Sequence, residues 1–188
     1  MKITATEIAD VLLIEPDVFG DARGYFFESY ASKRYAEHGL SVSFVQDNVS
    51  RSQRGILRGL HMQSPPSSQG KLVSVVVGEV YDVAVDVRLG SPTFGRFTAK
   101  YLSAENKRQL YVPAGFAHGF CVTSDEAIFM YKCTTYYDAK ADFSIAYDDP
   151  ALAIPWPIEK PVVSKKDAEG LRLADVPAER LMRFPGGA

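Results

Sequence analysis

Cysteine is scarce in this chain of 188 residues, which holds only Cys121 and Cys133. Two thiols rule out a disulfide framework, and both lie in apolar, strand-like runs where a buried free thiol is the common state. A reducing, cytoplasmic setting is therefore expected. Charge of one sign is missing too. Twenty-one Lys and Arg stand against 23 Asp and Glu, a net charge of -2, so no global field draws nucleic acid or an anionic membrane, and neither is expected as a partner. No apolar run approaches the roughly 18 residues of a membrane span. The opening MKITATEIAD lacks the apolar stretch of a secretory signal, so no processing is expected. No low-complexity tract, repeat or linker divides the chain, and one domain over residues 1–188 is expected.

What is present is a hydrophobic content of 46%, of which aromatics make 12% of the chain, enough for a sizeable core. Between residues 71 and 135 apolar positions recur with a period close to two, the period of a strand. Tyr81, Val83, Val85 and Val87 share one face, and Asp82, Ala84, Asp86 and Arg88 the other. Lys71 to Val77, the pair Gly78-Glu79 and Val80 to Arg88 read as a hairpin, closed off by Gly90-Ser91-Pro92. Further strands are predicted over Phe97 to Leu102, Gln109 to Val112, Phe116 to Thr123 and Ala127 to Thr135. Helical pattern is confined to Ser29 to His38, ended by Gly39, and to a stretch starting at Ser164. Short strands at this spacing predict an all-β barrel or jelly roll with short helical additions in the N- and C-terminal parts.

Three histidines carry most of the chemical options. His38 ends a predicted helix, where a cation suits the dipole, and reads as structural. His61, in Arg58-Gly59-Leu60-His61, and His118, in Phe116-Ala117-His118-Gly119-Phe120, are framed by glycines that let a backbone or a ligand come close. For each, function and satisfied packing are both open from local context. A metal is not expected: His61 is followed by Met62 and Gln63, so no His-x-His pair presents two ligands on one strand face. Separated imidazoles suit acid–base work instead. Arg23, Arg51, Arg54, Arg58 and Lys71 form a local cationic inventory fit for a phosphate, although no glycine-rich phosphate loop accompanies them. Asp167 fits a capping box with Ser164. Tyr131, Tyr136 and Tyr137 sit near one strand end, where aromatics usually pack.

Taken in order, Phe19 to Ser29, Phe44 to Asn48, Leu57 to His61, Gln69 to Val73, Gly90 to Gly95, Pro113 to Phe120, Tyr131 to Thr134, Asp148-Asp149-Pro150, Trp156-Pro157 and Ser164 to Asp167 resemble the dTDP-4-dehydrorhamnose 3,5-epimerase family. The resemblance implies a cupin-type jelly-roll β-barrel, a homodimer, no cofactor, and a dTDP-sugar substrate epimerised beside its C4 ketone. By motif position it implies His61 as proton acceptor, Asp167 as the carboxylate orienting it, Tyr131 as proton donor on the opposite face and Lys71 as support for the enolate. It also implies substrate contacts from Arg23, Glu28, Gln46, Asn48, Arg58, His118, Asp142 and Lys166, with Tyr137 stacking on thymine. The chain departs from the family's usual residues at Val49, Met62, Ser67-Ser68 and Asp142-Phe143-Ser144. Rival readings are a single-centre epimerase, a non-catalytic nucleotide-sugar-binding cupin and a metal-dependent cupin oxygenase.

Overall fold

The computed structural model describes residues 1–186. In chain order its first strands are β1 (Lys2–Ala5), β2 (Leu12–Glu15), β3 (Val18–Asp21), β4 (Gly24–Phe27), β5 (Gln46–Gln53), β6 (Leu57–Gln63) and β7 (Lys71–Val77). Then follow β8 (Glu79–Asp86), β9 (Phe97–Ser103), β10 (Gln109–Val112), β11 (Phe116–Val122), β12 (Glu126–Cys133) and β13 (Asp142–Ser144). A short helix, α1 (Ser32–Glu37), precedes β5, and a second, α2 (Lys165–Ala168), begins one residue after its cap Ser164. The strands form two antiparallel sheets, ordered β1-β2-β10-β7-β12-β5 and β13-β6-β11-β8-β9, with β3-β4 as a separate hairpin. The architecture is the expected all-β jelly roll of the cupin type.

Three apolar clusters hold these layers. Val73, Val75, Leu110 and Phe129 from one sheet meet Val80, Ala84, Leu102 and Phe120 from the other, filling part of the space between them. Outside the second sheet, Leu60, Val83, Val85, Val87 and Ala117 pack under Leu152, Leu173, Val176 and Leu181 of the C-terminal segment. Outside the first, Ile14 and Leu72 lie under Tyr35 of α1 and Leu40. The apolar face of β8 found in the sequence is therefore covered by the C-terminal segment, and the face carrying Asp82 and Asp86 points between the sheets.

The predicted hairpin over 71–88 is corrected: β7 and β8 lie in different sheets and do not pair. Gly78 is where the chain crosses. Its φ is +75°, and a Cβ there would meet the Glu126 carbonyl oxygen at 1.9 Å and Ser124 Oγ at 2.4 Å. Ser124 Oγ accepts the Glu79 amide at 2.8 Å, and the Gly78 carbonyl accepts the Ala104 amide at 2.9 Å. These partners lead the chain out of one sheet into the other, and local pattern alone does not distinguish such a crossing from a two-residue turn.

The strand also ends earlier than its pattern suggests, because Asp86 gathers the following turn around itself. Arg88 donates to it from the backbone and from Nε and Nη2, at 3.0, 2.9 and 2.7 Å, and the Ser91 and Thr93 hydroxyls donate at 2.6 Å each. Arg88 in turn lies over the rings of Phe116 and Phe184 and pairs with Asp10. Burial pushes the Asp86 carboxyl up, but the bonds from Arg88, Ser91 and Thr93 outweigh it and hold the group below its ordinary value. Its stabilisation is thus present above the unfolded value of about 3.9 and is lost as pH falls through the lower folded one. Asp86→Ala leaves a buried guanidinium without its main partner and is expected to cost about 3–5 kcal/mol. A denaturant midpoint unchanged from the wild type would contradict this.

Candidate active site

A polar cleft opens between the two sheets. Its outer part, about 350 Å3, is lined by Gln46 and Asn48 of β5, His61 and Gln63 of β6, Lys71, Tyr131, Tyr137, Asp142 and Lys166. An inner part of about 120 Å3 adds Ser50, Arg58, His118, Phe120 and Phe129, and shares His61, Lys71 and Tyr131 with the outer one. A roomier concavity of about 490 Å3 runs along the β3–β4 hairpin, but residues 19–26 alone line it. No second element closes that one, so the cleft between the sheets is the better enclosure for chemistry.

His61 reaches the cleft through a close backbone approach. A Cβ on Gly59 would come 2.5 Å from Gly119 Cα, so only glycine lets β6 and β11 meet this tightly. In that ladder His61 is the direct partner of His118. Bridges at Ile56–Val162 and Ile145–Leu171 fasten the C-terminal segment to this sheet on either side of α2. Asp167 is thereby brought under His61, with Oδ1 2.6 Å from the ring Nε2. Ser144 Oγ donates to the same oxygen at 3.0 Å, and the Gly59 amide donates to Oδ2 at 3.4 Å.

The capping box expected at Asp167 is only half formed, because its carboxylate does not return to the Ser164 amide. Its backbone amide donates to Ser164 Oγ at 3.1 Å, which caps α2, while its carboxylate serves His61. Asp167 is only 2% exposed. Burial pushes its carboxyl up, but the bonds from His61, Ser144 and Ser164 prevail and keep it below the ordinary range, hence ionised at neutral pH. A carboxylate facing Nε2 fixes the ring tautomer with its proton there. Nδ1 is left without a hydrogen-bond partner among the described residues and is the nitrogen free to take a proton.

Tyr131 enters from the opposite sheet. On β12 it pairs with Asn48 of β5 on one side and with Val73 of β7 on the other. Its ring lies 6.0 Å from that of Phe129. Burial raises its phenol above the ordinary value, so the proton is retained at neutral pH. Lys71, opposite Cys133 in the β7–β12 ladder, forms no ion pair or hydrogen bond with any described residue. Burial pulls its ammonium below the ordinary value, against the opposing charges of Cys133, Asp142 and Asp82. A lysine amine with no hydrogen-bond partner among the described residues, in a half-closed cleft, is a ready donor to an oxyanion.

The remaining expected contacts divide into two groups. Gln46 donates to Asn48 Oδ1 at 3.0 Å and accepts the Tyr137 amide at 2.9 Å. Tyr137 donates its hydroxyl to Asp142 at 3.1 Å, and Lys166 also pairs with Asp142. Arg58 donates to Ser52 Oγ at 3.0 Å beside the inner cavity. Arg23 and Glu28 are placed elsewhere. Arg23 stands at the tip of the β3–β4 hairpin paired with Asp21, and Glu28 pairs with Arg34 at 3.2 Å. Neither lines the cleft of its own chain.

Three participants were not singled out from the sequence. Asp82, fully buried, holds both carboxylate oxygens 3.0 Å from Nε2 of His118 and so orients a second imidazole toward the inner cavity. Ser144 supports Asp167, and Gln63 ties the loops at the mouth. A charged residue at an interior position of β8 was the available signal for Asp82. Among the described residues no three His, Cys, Asp or Glu side chains converge as metal ligands. Both cysteines are free and buried, and burial pushes the Cys121 thiol up to about 11.

The family model for dTDP-4-dehydrorhamnose 3,5-epimerase matches residues 5–175. The dTDP-4-dehydrorhamnose 3,5-epimerase of Pseudomonas aeruginosa is 55% identical over 177 residues, covering 93% of this chain and 97% of that protein. A crystal structure of dTDP-6-deoxy-D-glucose-3,5-epimerase from Legionella pneumophila, in complex with dTDP-4-keto-L-rhamnose, is similar with a TM-score of 0.94 and 56% identity, covering 97% of this chain and 98% of that one. A 3'-monoepimerase from Streptomyces bikiniensis, in complex with dTDP-quinovose, has a TM-score of 0.89 at 34% identity, covering 97% of this chain and 93% of its own.

Proposed function

Because the chain belongs to the dTDP-4-dehydrorhamnose 3,5-epimerase family, we propose that it converts dTDP-4-dehydro-6-deoxy-D-glucose to dTDP-4-dehydro-L-rhamnose, inverting carbons 3 and 5 without a cofactor. Both carbons flank the C4 ketone, so removal of either proton leaves an enolate with its negative charge on the C4 oxygen. Inversion then needs a base on one face, an acid on the other and positive charge near that oxygen.

The observation that carries this reading is the pairing across the cleft: the His61–Asp167 couple on one sheet, and on the other Tyr131 with Lys71, which has no hydrogen-bond partner among the described residues. His61 takes the proton at Nδ1, and Asp167 stabilises the imidazolium that results. Lys71 supports the enolate oxygen. Tyr131 returns a proton to the opposite face, and solvent then restores the phenol and the neutral imidazole. The outer rim supplies the nucleotide's contacts, with the exposed Tyr137 ring as a platform for the base.

A single-centre reaction would use the same machinery, and the likeness to the Streptomyces bikiniensis monoepimerase keeps that reading in view. The higher identity to a 3,5-epimerase favours two centres. NMR of the sugar after incubation with purified protein tests the proposal, which expects the L-rhamno configuration to accumulate. Folded protein that leaves the sugar unchanged would refute it.

The proposal extends to a cytoplasmic homodimer. Phe19, Tyr25 and Phe26 are 62%, 59% and 68% exposed on the hairpin that carries Arg23, an apolar surface suited to burial against a second copy. In such a dimer Arg23 and Glu28 contact substrate bound by the neighbouring subunit. Light scattering is expected to give twice the mass of one chain, and Phe19→Asp with Phe26→Asp to give monomers with KM raised at least about tenfold by the lost contacts. A monomeric wild type would overturn the dimer.

A further inference from the structure

Gln63 is the most heavily bonded side chain at the cleft that the proton transfers do not use. It ends β6, two residues after His61, and is 4% exposed. The chain then leaves as the loop 64–70, while the segment after β12 passes that loop and carries Tyr137. Gln63 Nε2 donates to the carbonyls of Ser67 at 2.6 Å and Tyr136 at 3.3 Å, and its Oε1 accepts the Asp138 amide at 2.8 Å. One buried amide therefore grips the residues on both sides of Tyr137.

Two departures from the family's usual sequence join the same knot. Ser67 Oγ donates to Asp138 Oδ2 at 2.8 Å, and Ser68 Oγ donates to the Gln63 carbonyl at 3.1 Å. The Tyr137 ring, 59% exposed, forms no aromatic pair with described residues, so its placement comes from its backbone and from the hydroxyl's bond to Asp142.

We propose that Gln63, with Ser67 and Ser68, is a positioning clamp that sets Tyr137 for the nucleobase of the substrate. The clamp rests on the functional reading above for the identity of that nucleobase. It acts on nucleotide affinity and leaves proton transfer alone, because the amide's bonds all lead away from His61 and Lys71. Holding the ring before binding spares the complex the cost of ordering it.

Gln63→Leu removes the three amide bonds at similar volume. The expected result is a rise of about tenfold in KM for the sugar nucleotide and in Kd for dTDP alone, with kcat within about twofold. In a Tyr137→Ala background the same change should add less than about twofold, since the group it acts through is gone. KM and Kd near wild type, a parallel fall in kcat, or an undiminished effect beside Tyr137→Ala would each overturn the clamp. Should Gln63→Leu fail to fold, Ser67→Ala with Ser68→Ala removes only two loop hydroxyls. It is expected to raise both constants about two- to threefold in the wild-type background alone, and no change would overturn the clamp. Absence of turnover by wild type would instead strike the functional reading, while the dTDP isotherms still report on the clamp.

Discussion

His61→Ala is expected to lower kcat on the order of a thousandfold or more, within the range a positioned base contributes, while the protein keeps its fold. Tyr131 keeps its proton at neutral pH, it and Lys71 both stand on the opposite sheet, and Asp167 lies buried behind the ring, so no other group on the face of His61 replaces Nδ1. Exchange of the sugar's protons with solvent should fall in parallel, because the lost step is deprotonation itself. Alanine also leaves Asp167 buried without its imidazole, which destabilises the fold. His61→Asn offers an amide donor toward that carboxylate without a basic nitrogen, and should be as inactive. Thermal melts checked beside the kinetics separate the two effects. More than about a tenth of wild-type turnover in either variant would remove His61 from the role of base.

Tyr131→Phe should divide the reaction. The ring and its contact with Phe129 stay, and the hydroxyl makes no hydrogen bond to a described residue, so stability should change by less than about 1 kcal/mol. Product formation is expected to fall about a hundredfold, the lower end for a lost acid, while His61 still removes and returns the proton on its own face. In deuterated water the recovered substrate should therefore carry deuterium with its configuration unchanged. Exchange that falls in step with product would mean that Tyr131 acts in deprotonation, and the assignment of faces would fail.

The strands over 71–135 were legible because apolar residues recur in them with a period close to two, even though both faces of β8 and β11 are covered. β5 was not, and the reason is functional. It turns Gln46, Asn48, Ser50 and Ser52 toward the interior and leaves Val49 66% exposed, inverting the usual pattern because its inner face lines a polar cleft. Gly78 misled for a different reason, since a sheet-to-sheet crossing and a tight turn use the same residues.

The site was less legible than the sheets. His61 and Asp167 are 106 positions apart, and no spacing rule joins them; only the motif resemblance did. Locally, Asp167 reads as half of a capping box, but only its amide takes part, donating to the cap Ser164, while its carboxylate serves His61. Asp82 could have been suspected as a charge among the valines of β8. Gln63 carried no signal at all, because its role depends on two loops that only the fold brings together.

In this mechanism one base and one acid, facing each other across the cleft, invert the carbons on both sides of a ketone. Incubating the protein with dTDP-4-dehydro-6-deoxy-D-glucose in deuterated water, then counting deuterons at C3 and C5 by NMR and mass spectrometry, tests it most directly. One deuteron is expected at each of these carbons in the epimerised product. Deuterium at a single carbon would contradict the two-centre reaction, and none at either, in folded protein, would contradict the assigned chemistry altogether.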